Sequence, residues 1–205
     1  MKKSKLTFCL TLLSFLIFVE YSNAQQRFEG SAIAGFNLSQ IDGDLLDGYN
    51  KPGVNVGARV DAVLNERWQV GLEFLFVQQG ASRNNSDNPA SRFDKIRLNM
   101  VEVPVLAHFR DWKMELSAGG SYGRIINYEI IDILGEDITE QVPLSADVFS
   151  IIIDGSFHFT DNWALNIRWS RWLNNIREDD IMFIPGGESG QFIGKNVTVR
   201  GIYTF

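Results

Sequence analysis

Eight segments in succession alternate apolar and polar side chains, and this repeated period of two leaves few folds open. From Trp68 one side of the segment reads Trp68, Val70, Leu72, Phe74 and Phe76. The other side reads Gln69, Gly71, Glu73, Leu75 and Val77. From Trp163, the residues Trp163, Leu165, Ile167 and Trp169 oppose Ala164, Asn166, Arg168 and Ser170. Near the end of the chain, Val197, Val199, Gly201, Tyr203 and Phe205 oppose Asn196, Thr198, Arg200, Ile202 and Thr204. Similar segments run over residues 28–41, 53–64, 95–109, 112–125 and 148–159. Each is about as long as a tilted strand needs to cross a bilayer, roughly 9–11 residues. Past residue 24, no stretch holds a 3.6-residue apolar period.

The connections alternate in length. Asn65-Glu66-Arg67, Arg110-Asp111 and Thr160-Asp161-Asn162 read as tight turns, each followed at once by a tryptophan: Trp68, Trp112 and Trp163. The other four, roughly 42–52, 80–94, 126–147 and 174–195, are longer and polar. Short turns on one side and long loops on the other predict an all-β fold: an eight-stranded antiparallel up-and-down transmembrane barrel with its short turns in the periplasm. The three tryptophans then form a periplasmic aromatic girdle, where amphipathic rings sit at headgroup level. A soluble barrel is the structural rival. It would line its cavity with apolar groups and turn polar ones to water, whereas here the large apolar and aromatic side chains share one face and Gly, Ser, Asn and charge the other.

The first residues read as an address. Lys2, Lys3 and Lys5 precede an apolar run from Leu6 to Val19, and Ser22-Asn23-Ala24 supplies the small residues of a cleavage site. This predicts a secretory signal peptide over 1–24 and a barrel domain over 25–205, with Gln25 as the first mature residue. As a helix the run would rise only ~21 Å, short of a ~30 Å hydrocarbon core. Cys9 lies inside it, so the mature chain is expected to hold no thiol, disulfide or Cys-based metal site. Without Lys2, Lys3, Lys5 and Glu20, 16 basic and 24 acidic residues remain. That balance argues against a nucleic-acid partner.

Depth counted from the turns isolates six charges on the non-lipid face: Arg59, Glu73, Glu102, Asp154, Arg168 and Arg200. Each lies an odd number of residues from an outward residue at the periplasmic end, at a similar depth. A charge facing lipid at this level costs ~2–4 kcal/mol for Arg, so these side chains are expected to point inward as a paired lumen network. A closed plug, a narrow gated pore and an acid/base site are its three uses. The arginines interleaved with the carboxylates count against the third, which needs a protonated donor. Pro104 beside Glu102 predicts a bulge, which makes Glu102 the member whose parity is most exposed to error.

Other features read more plainly. His108 and His158 sit one residue from the periplasmic ends of their strands and read as girdle or turn residues, so no catalytic residue is assigned. Asp42-Gly43-Asp44-Leu45-Leu46-Asp47-Gly48 matches a calcium loop at too few positions and reads as an acidic turn. No cofactor or metal is assigned. The third long loop is acidic, through Glu129, Asp132, Glu136, Asp137, Glu140 and Asp147. Ile181-Met182-Phe183-Ile184 reads as strand above the bilayer or as a partner contact.

Several segments resemble a known family. Gly35-Phe36-Asn37-Leu38-Ser39, Tyr49-Asn50-Lys51-Pro52-Gly53 and Leu72-Glu73-Phe74-Leu75-Phe76-Val77-Gln78-Gln79-Gly80 are similar to the small outer-membrane β-barrels of Bacteroidota, many labelled PorT-like. The most specific match is Leu98-Asn99-Met100-Val101-Glu102-Val103-Pro104-Val105-Leu106, with Met100 where the family pattern has Tyr. The resemblance implies a Gram-negative outer-membrane barrel without catalytic residues, and Tyr203 with Phe205 as the strand signal read by the barrel-insertion machinery. The family's namesake belongs to the type 9 secretion and gliding pathway. The expectation is a structural or interaction role: a closed barrel in outer-membrane lipid and lipopolysaccharide, presenting acidic extracellular loops to envelope or secretion partners, as a subunit of a larger envelope complex. A secretion component, a narrow channel and a lipid-modifying enzyme are the alternatives, in that order.

Overall fold

A computed structural model of the chain describes residues 28–46, 48–84, 91–177 and 191–205. The expected signal peptide and the apolar run 181–184 lie outside the described residues. The strands are β1 (Phe28–Asp42), β2 (Lys51–Val63), β3 (Trp68–Ser82), β4 (Phe93–Asp111), β5 (Met114–Asp132), β6 (Asp147–His158), β7 (Trp163–Trp172) and β8 (Ile193–Thr204). Each pairs antiparallel with the next, and β8 returns to β1 to close the barrel. Closure leaves no edge strand, the condition for a sheet in hydrocarbon, where an unpaired backbone group finds no water.

Tight turns are built from local chemistry. The Asn65 side chain accepts the backbone N–H groups of Arg67 and Trp68, both at 3.0 Å. At the β6–β7 turn the Thr160 hydroxyl accepts from Trp163 N–H at 3.0 Å. The β4–β5 turn departs from expectation. The strand pairing runs on to Asp111 opposite Met114, so the turn is Trp112-Lys113 and not Arg110-Asp111. Trp112 takes a left-handed φ of 55° there, a conformation bulky residues rarely adopt.

Pro104 does not make a bulge. Leu72 opposite Val105 and Leu75 opposite Glu102 keep one register across it. The pairing is interrupted there without an inserted residue. The shifts lie instead between Phe93 and Lys95 and between Asn99 and Met100, against β5.

The strands outrun the bilayer, and their polarity inverts where they leave it. On the lower part of β4 the outward residues are Phe109, Ala107, Val105, Val103 and Val101, and the inward ones include His108 and Glu102. Further out, Asn99, Arg97 and Lys95 face outward while Met100, Leu98 and Ile96 are fully buried. Lipid outside favours apolar-out, and water outside restores apolar-in. The outer half of the barrel is therefore packed like a soluble core, with Ile41, Leu75, Val77, Phe93, Ile130, Trp172 and Phe192 buried inside. The long loops fold over it. Leu46, Ile138, Val142, Leu144 and Ile176 join the same cluster. The first loop is thus more than an acidic turn: Asp44 is buried, its carboxylate accepts from Leu46 N–H at 2.9 Å, and its carbonyl accepts from the Ser91 hydroxyl at 2.7 Å. Asp47 lies outside the described residues.

Candidate functional site in the barrel lumen

Below the apolar core, the lumen holds charge in two clusters. In the first, at mid-depth, Arg168 grips Glu73 with two guanidinium nitrogens, at 2.8 and 2.9 Å. Arg168 also donates to Asp154 at 2.8 and 2.6 Å. Arg200 donates to Glu73 at 3.1 Å and to the Asn166 amide oxygen at 2.9 Å, with Asp154 at 3.6 Å. Two arginines and two carboxylates thus balance with almost no exposure. The planar guanidinium fork suits this, because it satisfies a carboxylate at two points and so offsets part of its desolvation.

The second cluster lies nearer the short turns and was largely missed in the sequence. Arg59 contacts Asp61 at 2.7 Å and Glu115 at 3.3 Å. Arg110 donates to Glu115 at 2.9 and 3.1 Å. His108 is fully buried, with Ser117 Oγ at 2.7 Å, Glu115 at 3.3 Å and Asp61 at 3.4 Å. His158 lies 3.4 Å from the same Glu115. The girdle or turn reading of the two histidines is therefore corrected. Each alternates with an outward Phe, Phe109 or Phe159, so each points into the lumen. The same parity rule that picked out Arg59 would have found Asp61, Glu115 and His108.

The six charges picked out from the sequence all lie inward and buried, but they do not form one network. Arg59 and Glu73 are register partners on β2 and β3. Yet both oxygens of Glu73 are engaged by Arg168 and Arg200, and the Arg59 side chain reaches toward the turn end instead. Glu102 accepts a hydrogen bond from the Ser121 hydroxyl and makes no ion pair with an arginine among the described residues.

At the short-turn end Trp68, Trp112 and Trp163 are outward and about half or more exposed, at 48%, 82% and 50%. The Trp68 ring meets that of Phe109 at a tilt, 5.1 Å between centroids, and Trp163 meets Tyr203 likewise at 5.0 Å. Tyr203 in turn meets Phe205 edge-on at 5.5 Å, and Phe205 N–H donates to the Gly30 carbonyl at 3.0 Å. β8 is thereby fastened to both neighbours at this rim.

The chemistry open to these groups is limited by access. Ser117 Oγ hydrogen-bonds His108 at 2.7 Å, but Asp61 stands 3.4 Å from the other ring nitrogen without a hydrogen bond, so the chain of nucleophile, base and orienting acid is not completed. Ser117 is 3% exposed and His108 not at all, so a substrate has no approach to either. Among the described residues no group of three His, Cys, Asp or Glu is arranged to hold a metal.

A model of the outer membrane protein beta-barrel domain matches residues 22–177, three quarters of the chain. The chain belongs to this family. It is an outer-membrane protein, and the membrane outside explains the outward belt of Phe36, Leu72, Phe74, Leu116 and Ile167. No curated protein sequence matches it. Among solved structures it is similar to Ail, the attachment invasion locus protein of Yersinia pestis, at 14% identity and a TM-score of 0.50, over 86% of this chain and 99% of that one. Neisserial surface protein A matches at 11% identity and a TM-score of 0.49, over 87% and 97%. OprG of Pseudomonas aeruginosa matches at 11% identity and a TM-score of 0.44, over 86% and 96%. The likeness to Ail is one of fold.

Proposed function

We propose that this protein is a closed outer-membrane barrel with a structural or interaction role, and that it acts through its extracellular surface. The observation that carries the reading is the filling of the lumen at three levels: the lower charge cluster, the middle one, and the apolar core beneath the folded-over loops. An eight-stranded barrel leaves an interior that side chains can fill. Acidic groups mark the outer surface, with Glu136, Asp137 and Glu140 exposed on the third long loop. The pattern around Glu102 and Pro104 supports placing the chain among the small Bacteroidota barrels, with an envelope complex as the setting for its interactions.

Single-channel recording in planar bilayers tests closure. The expected result is no steady current. Large, stable currents would overturn the reading in favour of a channel. Copurification from native membranes, after mild cross-linking at the outer surface, tests the interaction role. Recovery with secretion components would select that version of it, and recovery of the bare barrel alone would count against any partner.

A further inference from the structure

The third long loop leaves a stretch of strand edge unpaired just above the bilayer. β6 begins at Asp147, opposite Arg124, while β5 runs on to Asp132. Arg124 stands ten residues past Met114. At ~3.3 Å per residue and ~40° tilt that is a height of about 25 Å, the top of a ~25 Å apolar band. Beyond it the loop takes over the β6 side of β5, but with a gap. Ile125 N–H donates to the Ala146 carbonyl at 2.7 Å. The next contacts are at Ile130, whose carbonyl accepts from Ile138 N–H at 2.9 Å and whose N–H donates to the Thr139 hydroxyl at 2.9 Å. In a strand the N–H and C=O of every second residue point to the same edge. Those of Tyr128 therefore face the gap, as those of Ile130 face the loop, and no backbone group among the described residues meets them there.

The gap is a cavity of about 330 Å³. Ile126, Leu144 and Ala146 give it apolar walls, and Asn127, Thr139 and Glu140 a polar rim. Met100 pairs with Ile125 and Asn99 with Asn127, so Ile126 is the inserted residue of a bulge, and it is 62% exposed. The charge around the cavity has one sign. Residues 126–147 carry six acidic side chains and no lysine or arginine. Arg97 pairs with Glu129 at 3.2 Å and Arg124 with Asp147 at 3.3 Å, leaving Asp132, Glu136, Asp137 and Glu140 without a cation among the described residues.

We propose that this gap receives an extended basic peptide segment of an envelope partner. Its backbone pairs with Tyr128, one apolar side chain enters against Ile126, and flanking lysine or arginine side chains meet Glu140 and its acidic neighbours. An unpaired strand edge supplies main-chain hydrogen bonds, and a pocket beside it selects a side chain. Charge of one sign selects a cationic partner. The cavity is at the small end of ligand pockets, about 300–1,000 Å³, so it takes a side chain or two and not a folded domain. The inference rests on the reading that the protein acts through its extracellular surface, which copurification tests without reference to this gap.

The test uses the full-length barrel in phosphatidylcholine nanodiscs at low salt, titrated with a fluorescent, end-blocked pentapeptide of four lysines around a central valine. Two control peptides replace the valine by glycine or the lysines by glutamates. The glycine peptide should bind at least fivefold more weakly, and the glutamate peptide not measurably. Residue-resolved amide exchange should find Tyr128 unprotected in the free barrel and at least tenfold slower with the valine peptide, while Ile130, already bonded, stays unchanged. Glu140→Gln should weaken the valine peptide at least threefold. Ile126→Ser should weaken it too and leave the glycine peptide unaffected. Both side chains are exposed, and heat-modifiable mobility checks that the variants fold. Equal binding of the three peptides, or of the valine peptide to wild type and Glu140→Gln, overturns the proposal. So does a Tyr128 amide protected before peptide is added. Protection that rises with protein concentration makes the gap a contact between copies, and protection independent of it means that the loop closes the edge itself. Copurified partners without peptide protection at Tyr128 would sink this site and leave the extracellular reading standing.

Discussion

Glu73 is the side chain on which the middle of the lumen turns, so Glu73→Ala is the most demanding perturbation. The carboxylate accepts three charged hydrogen bonds, two from Arg168 and one from Arg200. Its loss leaves two buried guanidinium groups facing Asp154 alone. Arg168 keeps its contacts of 2.6 and 2.8 Å to Asp154, while Arg200 has that carboxylate only at 3.6 Å. Breaking a buried ion pair on one side costs about 3–5 kcal/mol. At ~1.4 kcal/mol per tenfold, the folded-to-unfolded ratio falls by about 100- to 4,000-fold. Urea titration of the barrel in phospholipid vesicles measures this, with tryptophan fluorescence and heat-modifiable mobility as independent readings. The double variant Glu73→Ala/Arg200→Ala removes one charge of each sign and leaves Arg168 paired with Asp154. It should be more stable than the sum of the two single effects, by about 0.5–3 kcal/mol. A Glu73→Ala barrel within about 0.5 kcal/mol of wild type, or strict additivity in the double variant, would refute the reasoning.

Other expectations follow from single contacts. A β-carbon on Gly194 would stand 2.5 Å from the Trp172 ring, so Gly194→Ala should displace that ring and destabilise the outer core by ~1–3 kcal/mol in the same titration. Tyr203→Ala removes the ring that links Trp163 to Phe205, and should slow assembly, read as a longer-lived unfolded band in a pulse-chase. Trp112→Gly relieves a left-handed residue at the β4–β5 turn, worth ~1–2 kcal/mol, but gives up an exposed ring; it should unfold no earlier in detergent and earlier in lipid. The Thr139 hydroxyl and backbone N–H hold the Asp137 carboxyl below the usual carboxylate range. A lowered value in the fold means that this contact stabilises the loop above the ordinary carboxylate pKa and is lost as pH falls through the lowered one. The protection of the Thr139 amide, taken relative to its intrinsic exchange rate at each pH, should therefore hold at neutral pH and fall under acid, and an exchange rate in Asp137→Asn equal to wild type at neutral pH would count against it.

The sequence by itself determined the number of strands, their order and the side of the wall each residue occupies. Side-chain direction in a strand is a local property that alternates with every peptide unit, so Arg59, Glu73, Asp154, Arg168 and Arg200 could be placed inward without any coordinates. Glu102 kept its parity because Pro104 interrupts the pairing without inserting a residue. Three matters were decided only by the tertiary structure. The first is which charges meet. Register makes Arg59 and Glu73 neighbours, but reach across a closed lumen gives Glu73 to β7 and β8, and Arg59 to Asp61 and Glu115. The second is the place of His108 and His158. Their parity was legible, but a position beside a turn is compatible with either rim or lumen until the barrel closes around it. The third is the apolar outer core. Alternation tells which residues share a face and not which solvent lies outside, and the strands of this barrel continue past the bilayer into water. There the same two-residue period carries the opposite meaning, and Leu98, Met100 and Trp172 turn inward for the reason that keeps Leu72 and Phe74 outward below.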